Sequence, residues 1–308
     1  MAYYLGIDTS NYTTSCAIYD SEKNSFVMKK KLLPVKEGEL GLRQSEAVFH
    51  HTVQLPELMD ELFCDFDGEI SAVGVSDAPR RAEGSYMPCF LVGVNSARCI
   101  ASSTNKPVYK FSHQQGHIAA ALYSAKREEL FGQRFIAFHV SGGTTEALLV
   151  SENLDAVEIA RSLDLKAGQA VDRVGVKLGY PFPAGKYVDS LAGKSEKNYK
   201  FNIKLKDGCC SLSGVQNKCE KMIADGEKAE DVCRYCLQYV AASLEAVALE
   251  AKQKYGELPV IFSGGVSSSR VIRERLESSL SASFAEPEFS CDNAAGVALL
   301  ACKRNENQ

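Results

Sequence analysis

YYLGIDTSNYTTSCAIYDSEKNSFVMKKKLL, residues 3–33, and FIAFHVSGGTTEALLVSENLDAVEIARSL, residues 135–163, carry one pattern twice. Each opens on an apolar run, meets small hydroxyl and glycine residues, and returns as a second apolar run. A further turn, at Lys23-Asn24 in the first copy, leads into a third run. Short apolar or alternating runs bounded by Gly, Ser, Thr and Asn read as strands, so each copy predicts three strands. Recurrence of the unit further along the chain predicts an internal duplication.

Outward from the first copy, a helical pattern runs through Glu46, His50, Val53, Leu55, Leu58 and Leu62. The buried strand EISAVGVS and the small-residue helix LVGVNSARCIASS follow it. Outward from the second copy come a helix over Gln169 to Leu178, a long helix over Glu230 to Lys254, the strand LPVIFSGG and a last helix over Asn293 to Lys303. Strands alternating with helices in both halves predict an α/β fold, with the halves meeting near Pro107.

With 308 residues, 45% of them hydrophobic, the chain can bury a sizeable core. No run of about 18 uncharged apolar residues occurs, which argues against a membrane-spanning helix. Eleven scattered cysteines and an opening MAYYLGIDTS without a basic, then apolar, leader point to a reducing cytosol. A net charge of −4 means that any contact with RNA must come from a local patch or a companion protein. GKSEKNYKFNIKLKDG, residues 193–208, has five lysines against two acids. The commoner use of such a run is a solvated face or hairpin; the other is a groove for an anion.

Three turns rich in Gly, Ser and Thr follow apolar strands: DTSNYTT at 8–14, SGGTTE at 141–146 and SGGVSSSR at 263–270. Backbone N–H groups in such turns can converge on an anion. Two of the three lie at equivalent points of the duplicated unit, which points to a nucleotide held between two lobes. The competing reading is hairpin turns that need glycine. Asp172, on a short helix before a loop containing Gly185, could accept hydrogen bonds from ribose hydroxyls or pair with Arg173 or Lys177.

In FSHQQGH, residues 111–117, His113 and His117 stand four apart on one helical face, a spacing that lets two imidazoles reach one divalent ion. Packing or capping is the alternative. Gln114 follows the first histidine, and an amide cannot serve as the general base of a zinc peptidase. Asp292, in FSCDNAAG, could cap the last helix or be a third ligand. Two imidazoles and a carboxylate accept several ions and leave coordination positions open. Cys233 and Cys236 have CxxC spacing, but within an amphipathic helix and without a second pair they read as small hydrophobes.

The ordered set GIDTS, SHQQGH, VSGGTTE, AGQAVDRVGVKLGYPFPAGK, CSLSGVQ, SGGVSSSR and CDNAAG resembles the TsaD-type tRNA threonylcarbamoyladenosine transferases over nearly the whole chain. The resemblance implies an α/β fold of two duplicated lobes, as in actin, sugar kinases and heat-shock chaperone ATPases, with an adenylate in the cleft. Residues 1–107, completed by helix 293–308, would form one lobe; residues 108–292 would form the other and carry the metal and nucleotide sites. His113, His117 and Asp292 would bind one divalent metal, iron or zinc, with magnesium as a further option. Val140, Ser141, Gly142, Gly143 and Thr144 would contact the phosphates of ATP or an acyl-adenylate. Asp172 and Gly185 would face the ribose, and Gly264, Gly265 and Ser269 the adenosine.

The implied activity is metal-dependent transfer of threonylcarbamoyl from its adenylate to an adenosine of tRNA, in the cytoplasm, with companion proteins of the pathway and no membrane. The chain departs from the family pattern at named points. Tyr12 and Thr13 stand where the family has an Asp-Glu pair, Thr144 replaces the histidine of SGGH, Ser269 replaces an asparagine, and SDAPRRAEGSYMP brings in Arg80 and Arg81. These departures frame the alternative: a divergent adenylate-binding metalloprotein with another acceptor, or a non-catalytic partner. A small-molecule kinase on the same fold is a third reading.

Overall fold

A computed structural model describes residues 2–10, 12–34, 42–290 and 294–306. The first copy folds as β1 (Tyr3–Ser10), β2 (Thr13–Asp20) and β3 (Ser25–Leu32), each antiparallel to the next. After α1 (Gln44–Phe63) the chain adds β4 (Ile70–Ala78) parallel to β1. After α2 (Phe90–Thr104) it adds β5 (Val108–Ser112) parallel to β4. The sheet order is β3-β2-β1-β4-β5.

Beyond α3 (His113–Ser124), the second copy gives β6 (Phe135–Val140), β7 (Thr145–Val150) and β8 (Ala156–Arg161), again antiparallel. Four helices follow: α4 (Ala167–Lys177), α5 (Gly185–Ala192), α6 (Ser213–Ala224) and the 27-residue α7 (Ala229–Tyr255). Next, β9 (Val260–Ser263) joins parallel to β6, and after α8 (Arg270–Leu280), β10 (Ser283–Phe284) joins parallel to β9. Read from its other edge, this sheet runs β8-β7-β6-β9-β10. Order and strand directions match those of the first sheet, which is the predicted duplication. The last helix is α9 (Ala295–Glu306).

The chain divides into two compact units, Met1–Ala120 with Cys291–Gln308, and Ala121–Ser290. The first therefore runs past the expected boundary at Pro107. The reason is pairing: β5 is the fifth strand of the first sheet and brings the start of α3, with His113 and His117, into the first unit. Those histidines were expected in the second lobe.

In the first unit, Leu55, Leu58 and Leu62 of α1 bury against Leu5, Ile7, Ile18 and Val75. The buried stripe of α1 differs from the apolar pattern in sequence. His51 and Gln54 are buried, while Val53 is 48% exposed. The buried Thr14 hydroxyl explains the inversion: it lies 2.8 Å from His51 Nδ1 and donates to Gln54 Oε1 at 2.8 Å. In the second unit the core is built on stacked rings, Phe138 on Phe262 at 4.5 Å and Phe262 on Phe284 at 5.3 Å, across β6, β9 and β10. Among the described residues no helix is long and apolar enough to cross a membrane.

Candidate functional site

The two equivalent turns differ in shape. In the first copy the ladder continues through Asp8↔Ser15, Thr9↔Thr14 and Ser10↔Thr13, so the hydroxyl residues of DTSNYTT are locked and buried in a tight hairpin. Thr13 is one of them, and Tyr12 is 39% exposed. In the second copy the paired strands end at Val140↔Thr145, and Ser141–Thr144 form a turn closed by the Ser141 amide, which donates to the Thr144 carbonyl at 2.7 Å. Its amides do not all point outward: Gly143 and Thr144 donate to Ser141 Oγ at 3.3 and 3.1 Å.

This turn borders a cavity of about 610 Å³, within the range that holds a nucleotide-sized ligand. Every lining residue belongs to the second unit. Of the residues named from sequence, Gly142, Asp172, Gly185, Gly265 and Ser269 line it together. Val140, Ser141, Gly143, Thr144 and Gly264 are not among its lining residues, and two of them, Val140 and Gly264, are fixed by packing. Val140 is fully buried at the end of β6. Gly264 has φ +96°, and a β-carbon there would lie 2.3 Å from the Val140 carbonyl oxygen, so glycine is what lets β9 end against β6.

Asp172, on α4, pairs with neither Arg173 nor Lys177. Its Oδ1 accepts the Ala184 amide at 2.7 Å, tethering the Pro181–Ala184 loop, while Arg173 donates to Gln216. Ser269, at the start of α8, donates to Asp189 Oδ1 at 2.6 Å, and Arg270 Nε lies 3.8 Å from Asp189 Oδ2. Asp189, Lys186, Phe182 and Arg270, none of them a candidate site residue by sequence, also stand on the cavity wall. Phe182 is 76% exposed, and Lys186 lies over the Tyr187 ring at 4.8 Å. An exposed aromatic between two prolines, in PFP, was the available signal.

The histidine pair lies in the first unit. His113 Nε2 and His117 Nε2 face each other at 2.9 Å, one helical turn apart on α3. His113 Nδ1 lies 2.6 Å from Oδ2 of Asp8, which is 1% exposed and takes a second hydrogen bond from Ser76 Oγ at 3.0 Å. A carboxylate on Nδ1 fixes the tautomer that leaves Nε2 as the metal-facing donor. Two imidazoles so oriented have the donor chemistry to hold a divalent ion, and Asp8, marked in the sequence only as part of the DTSNYTT turn, orients His113. Asp292, the expected third ligand, lies outside the described residues. Among the described residues no group of three metal-binding side chains is present.

HQQGH and DNAAG meet through their glycines. A β-carbon on Gly296 would lie 1.8 Å from the Gly116 carbonyl oxygen, so α9 and α3 touch backbone to backbone at the residue before His117, between the two histidines. Cys233 and Cys236 are fully buried in α7, and burial pushes the Cys233 thiol up to about 12.

A family profile described as TsaD, tRNA N6-adenosine threonylcarbamoyltransferase, matches residues 35–299. The tRNA N6-adenosine threonylcarbamoyltransferase of Sulfurihydrogenibium sp. is 31% identical over 97% of this chain and 90% of its own length. Among solved structures, full-length HypF in its phosphate- and nucleotide-bound form aligns with 98% of this chain and 55% of its own, with a TM-score of 0.58 and 14% identity. A ROK family glucokinase from Streptomyces griseus, in complex with glucose and AMPPNP, aligns with 98% of this chain and 99% of its own, with a TM-score of 0.53 and 12% identity. These two show the fold alone, the duplicated α/β architecture shared with sugar kinases. With its motifs, its duplicated sheets and its near full-length relatives in agreement, the chain belongs to the TsaD family of tRNA N6-adenosine threonylcarbamoyltransferases.

Proposed function

We propose that the protein transfers a threonylcarbamoyl group from threonylcarbamoyl-adenylate to the exocyclic amine of an adenosine in tRNA. The amine nitrogen bonds to the carbamoyl carbon, the bond from that carbon to the adenylate phosphate oxygen breaks, the amine proton leaves to solvent, and AMP departs. What supports this reading, beyond family membership, is the convergence of Gly142, Asp172, Gly185, Gly265 and Ser269 on one cavity of nucleotide size. Phe182 offers the adenine a stacking face, the Asp172-tethered loop shapes the ribose side, and Lys186 and Arg270 supply positive charge for the phosphate. Catalysis by such a site rests on positioning and charge stabilisation.

His113 and His117, with Asp292, would hold one divalent ion, iron or zinc before magnesium given the imidazoles. When bound, the ion supplies Lewis acidity. The chain's own part is to present two Nε2 donors and, through Asp8, to keep His113 in the right tautomer. The acidic general base that a peptidase needs is missing beside His113, where Gln114 stands. All ten cysteines among the described residues are free thiols, which suits a cytosolic enzyme.

The test is mass spectrometry of nucleosides from unmodified tRNA incubated with this protein and threonylcarbamoyl-adenylate, with and without the pathway's companion proteins. Threonylcarbamoyladenosine is expected in their presence. The second reading, a paralogue with another acceptor or none, rests on Tyr12 and Thr13, where the family has acids. It prevails if the native protein is inactive and Tyr12→Asp with Thr13→Glu confers activity.

A further inference from the structure

We propose that the outer face of residues 199–206 is a contact for the phosphate backbone of RNA, an inference that rests on the tRNA-directed function above. Along this segment Tyr199, Phe201, Ile203 and Leu205 are half-buried, while Lys200, Asn202, Lys204 and Lys206 are exposed. Alternation with period two is the signature of an extended chain with opposite faces. The lysines therefore share one face.

The inner row is anchored. Tyr199 packs edge-on to Tyr235 of α7 at 5.0 Å, and Phe201 meets Tyr235 and Tyr239 at 5.2 and 5.3 Å. Gln238 of α7 holds the backbone as a neighbouring strand would: Oε1 accepts from the Tyr199 amide at 2.8 Å and Nε2 donates to the Lys197 carbonyl at 3.3 Å. At the other end Lys206 and Cys209 exchange two backbone hydrogen bonds, both 2.9 Å. The outer row thus stands on a fixed base.

A rise of about 3.3 Å per residue sets Lys204 and Lys206 about 6.6 Å apart, and Lys200 about 13 Å from Lys204. These separations are multiples of one step, comparable to the distance between successive phosphates of one strand. Among the described residues Lys200, Lys204 and Lys206 have no ion-pair partner, whereas neighbouring Lys197 is held by Asp231 at 2.9 Å. Three unneutralised cations in line, on a chain of net charge −4, form the kind of local patch that contact with RNA requires. An acidic protein surface matches the sign but not the even step.

The experiment titrates unmodified tRNA with the full chain and its companion proteins, by fluorescence anisotropy over a salt series, and measures threonylcarbamoyladenosine formation in parallel. The triple variant Lys200→Gln, Lys204→Gln, Lys206→Gln is compared with the native chain. A second triple, Lys221→Gln, Lys228→Gln, Lys254→Gln, removes equal charge elsewhere. The first triple is expected to lower the log–log salt slope by about 3. It should also weaken binding between about tenfold and a hundredfold near physiological salt. The second triple and the Lys→Arg version of the first should keep the native slope. An unchanged slope in the first triple, with native modification activity intact, overturns the proposal and leaves the function standing. A native complex that neither binds nor modifies tRNA overturns both. Capture of poly-glutamate with the same lysine dependence, in place of tRNA, assigns the face to a protein partner and also overturns it.

Discussion

Asp8 Oδ2 stands 2.6 Å from His113 Nδ1, joining the end of β1 to the start of α3 across 105 positions of chain. The carboxylate is buried and the imidazole faces its partner histidine, so one hydrogen bond sets the ring orientation and the tautomer together. Its removal tests the metal reading without touching a ligand. Asp8→Asn keeps the size and an acceptor but loses the charge that raises the basicity of Nε2. Affinity for Zn²⁺ or Fe²⁺, measured by competition with a chromogenic chelator, is expected to fall by about 10- to 100-fold. Far-UV circular dichroism should remain native. Native metal affinity in this variant would show that Asp8 does not orient the pair.

His51 predicts a pH dependence of stability unconnected with metal. Burial in α1 holds its imidazole at about 4 against an ordinary 6.5, outweighing the pull of the nearby Asp8 carboxylate. A depressed histidine pKa means that the unfolded chain binds more protons between those values, so stability falls as pH drops from 6.5 towards 4. A difference of about 2.5 pKa units corresponds to at most about 3 kcal/mol. Urea denaturation of the native protein at pH 7 and pH 4.5 should show this loss, and His51→Gln should flatten it. Equal pH slopes in the two proteins would remove His51 as the cause.

The fold was legible because a period-two apolar pattern punctuated by turn residues recurred, and backbone pairing obeys that pattern locally. Pairing also decided what could not be read: β5 is five residues long, too short to signal its own sheet, so the boundary moved past Pro107 and took the histidines with it. The His51 and Gln54 burial was hidden for another reason. Its cause is a threonine hydroxyl 37 positions away, a partner that no hydropathy pattern reports. The candidate cavity was half visible. Gly142, Gly185 and Gly265 announced themselves as backbone-approach glycines, whereas Phe182, Lys186 and Asp189 acquire meaning only once α4, α5 and α8 are placed around one space.

Asp172 is expected to act through its loop. Its Oδ1 is the acceptor for the amide of Ala184, a fully buried residue, and leaving that N–H unsatisfied costs about 1–3 kcal/mol. Asp172→Ala should therefore loosen residues 181–184 and raise the dissociation constant for a non-hydrolysable ATP analogue by about tenfold, as read by isothermal titration calorimetry. Asp172→Asn retains the acceptor and should bind nearly as the native protein does. If both variants lose affinity equally, the carboxylate charge meets the ligand directly and the tether is not what matters.

Gly296 carries the sharpest steric prediction. Its missing β-carbon would sit 1.8 Å from the Gly116 carbonyl oxygen, and what it would strike is helix backbone rather than the tip of a flexible side chain. Gly296→Ala must therefore push α9 away from α3, a form of overpacking that costs about 1–3 kcal/mol or more. The displacement falls at Gly116, between His113 and His117, so metal affinity should drop together with the urea midpoint. Gly143→Ala is the counterpart, since a β-carbon there meets nothing within 4 Å and the midpoint should hardly change. A Gly296→Ala protein with native midpoint and native metal affinity would mean that the two helices do not approach as closely as their glycines allow.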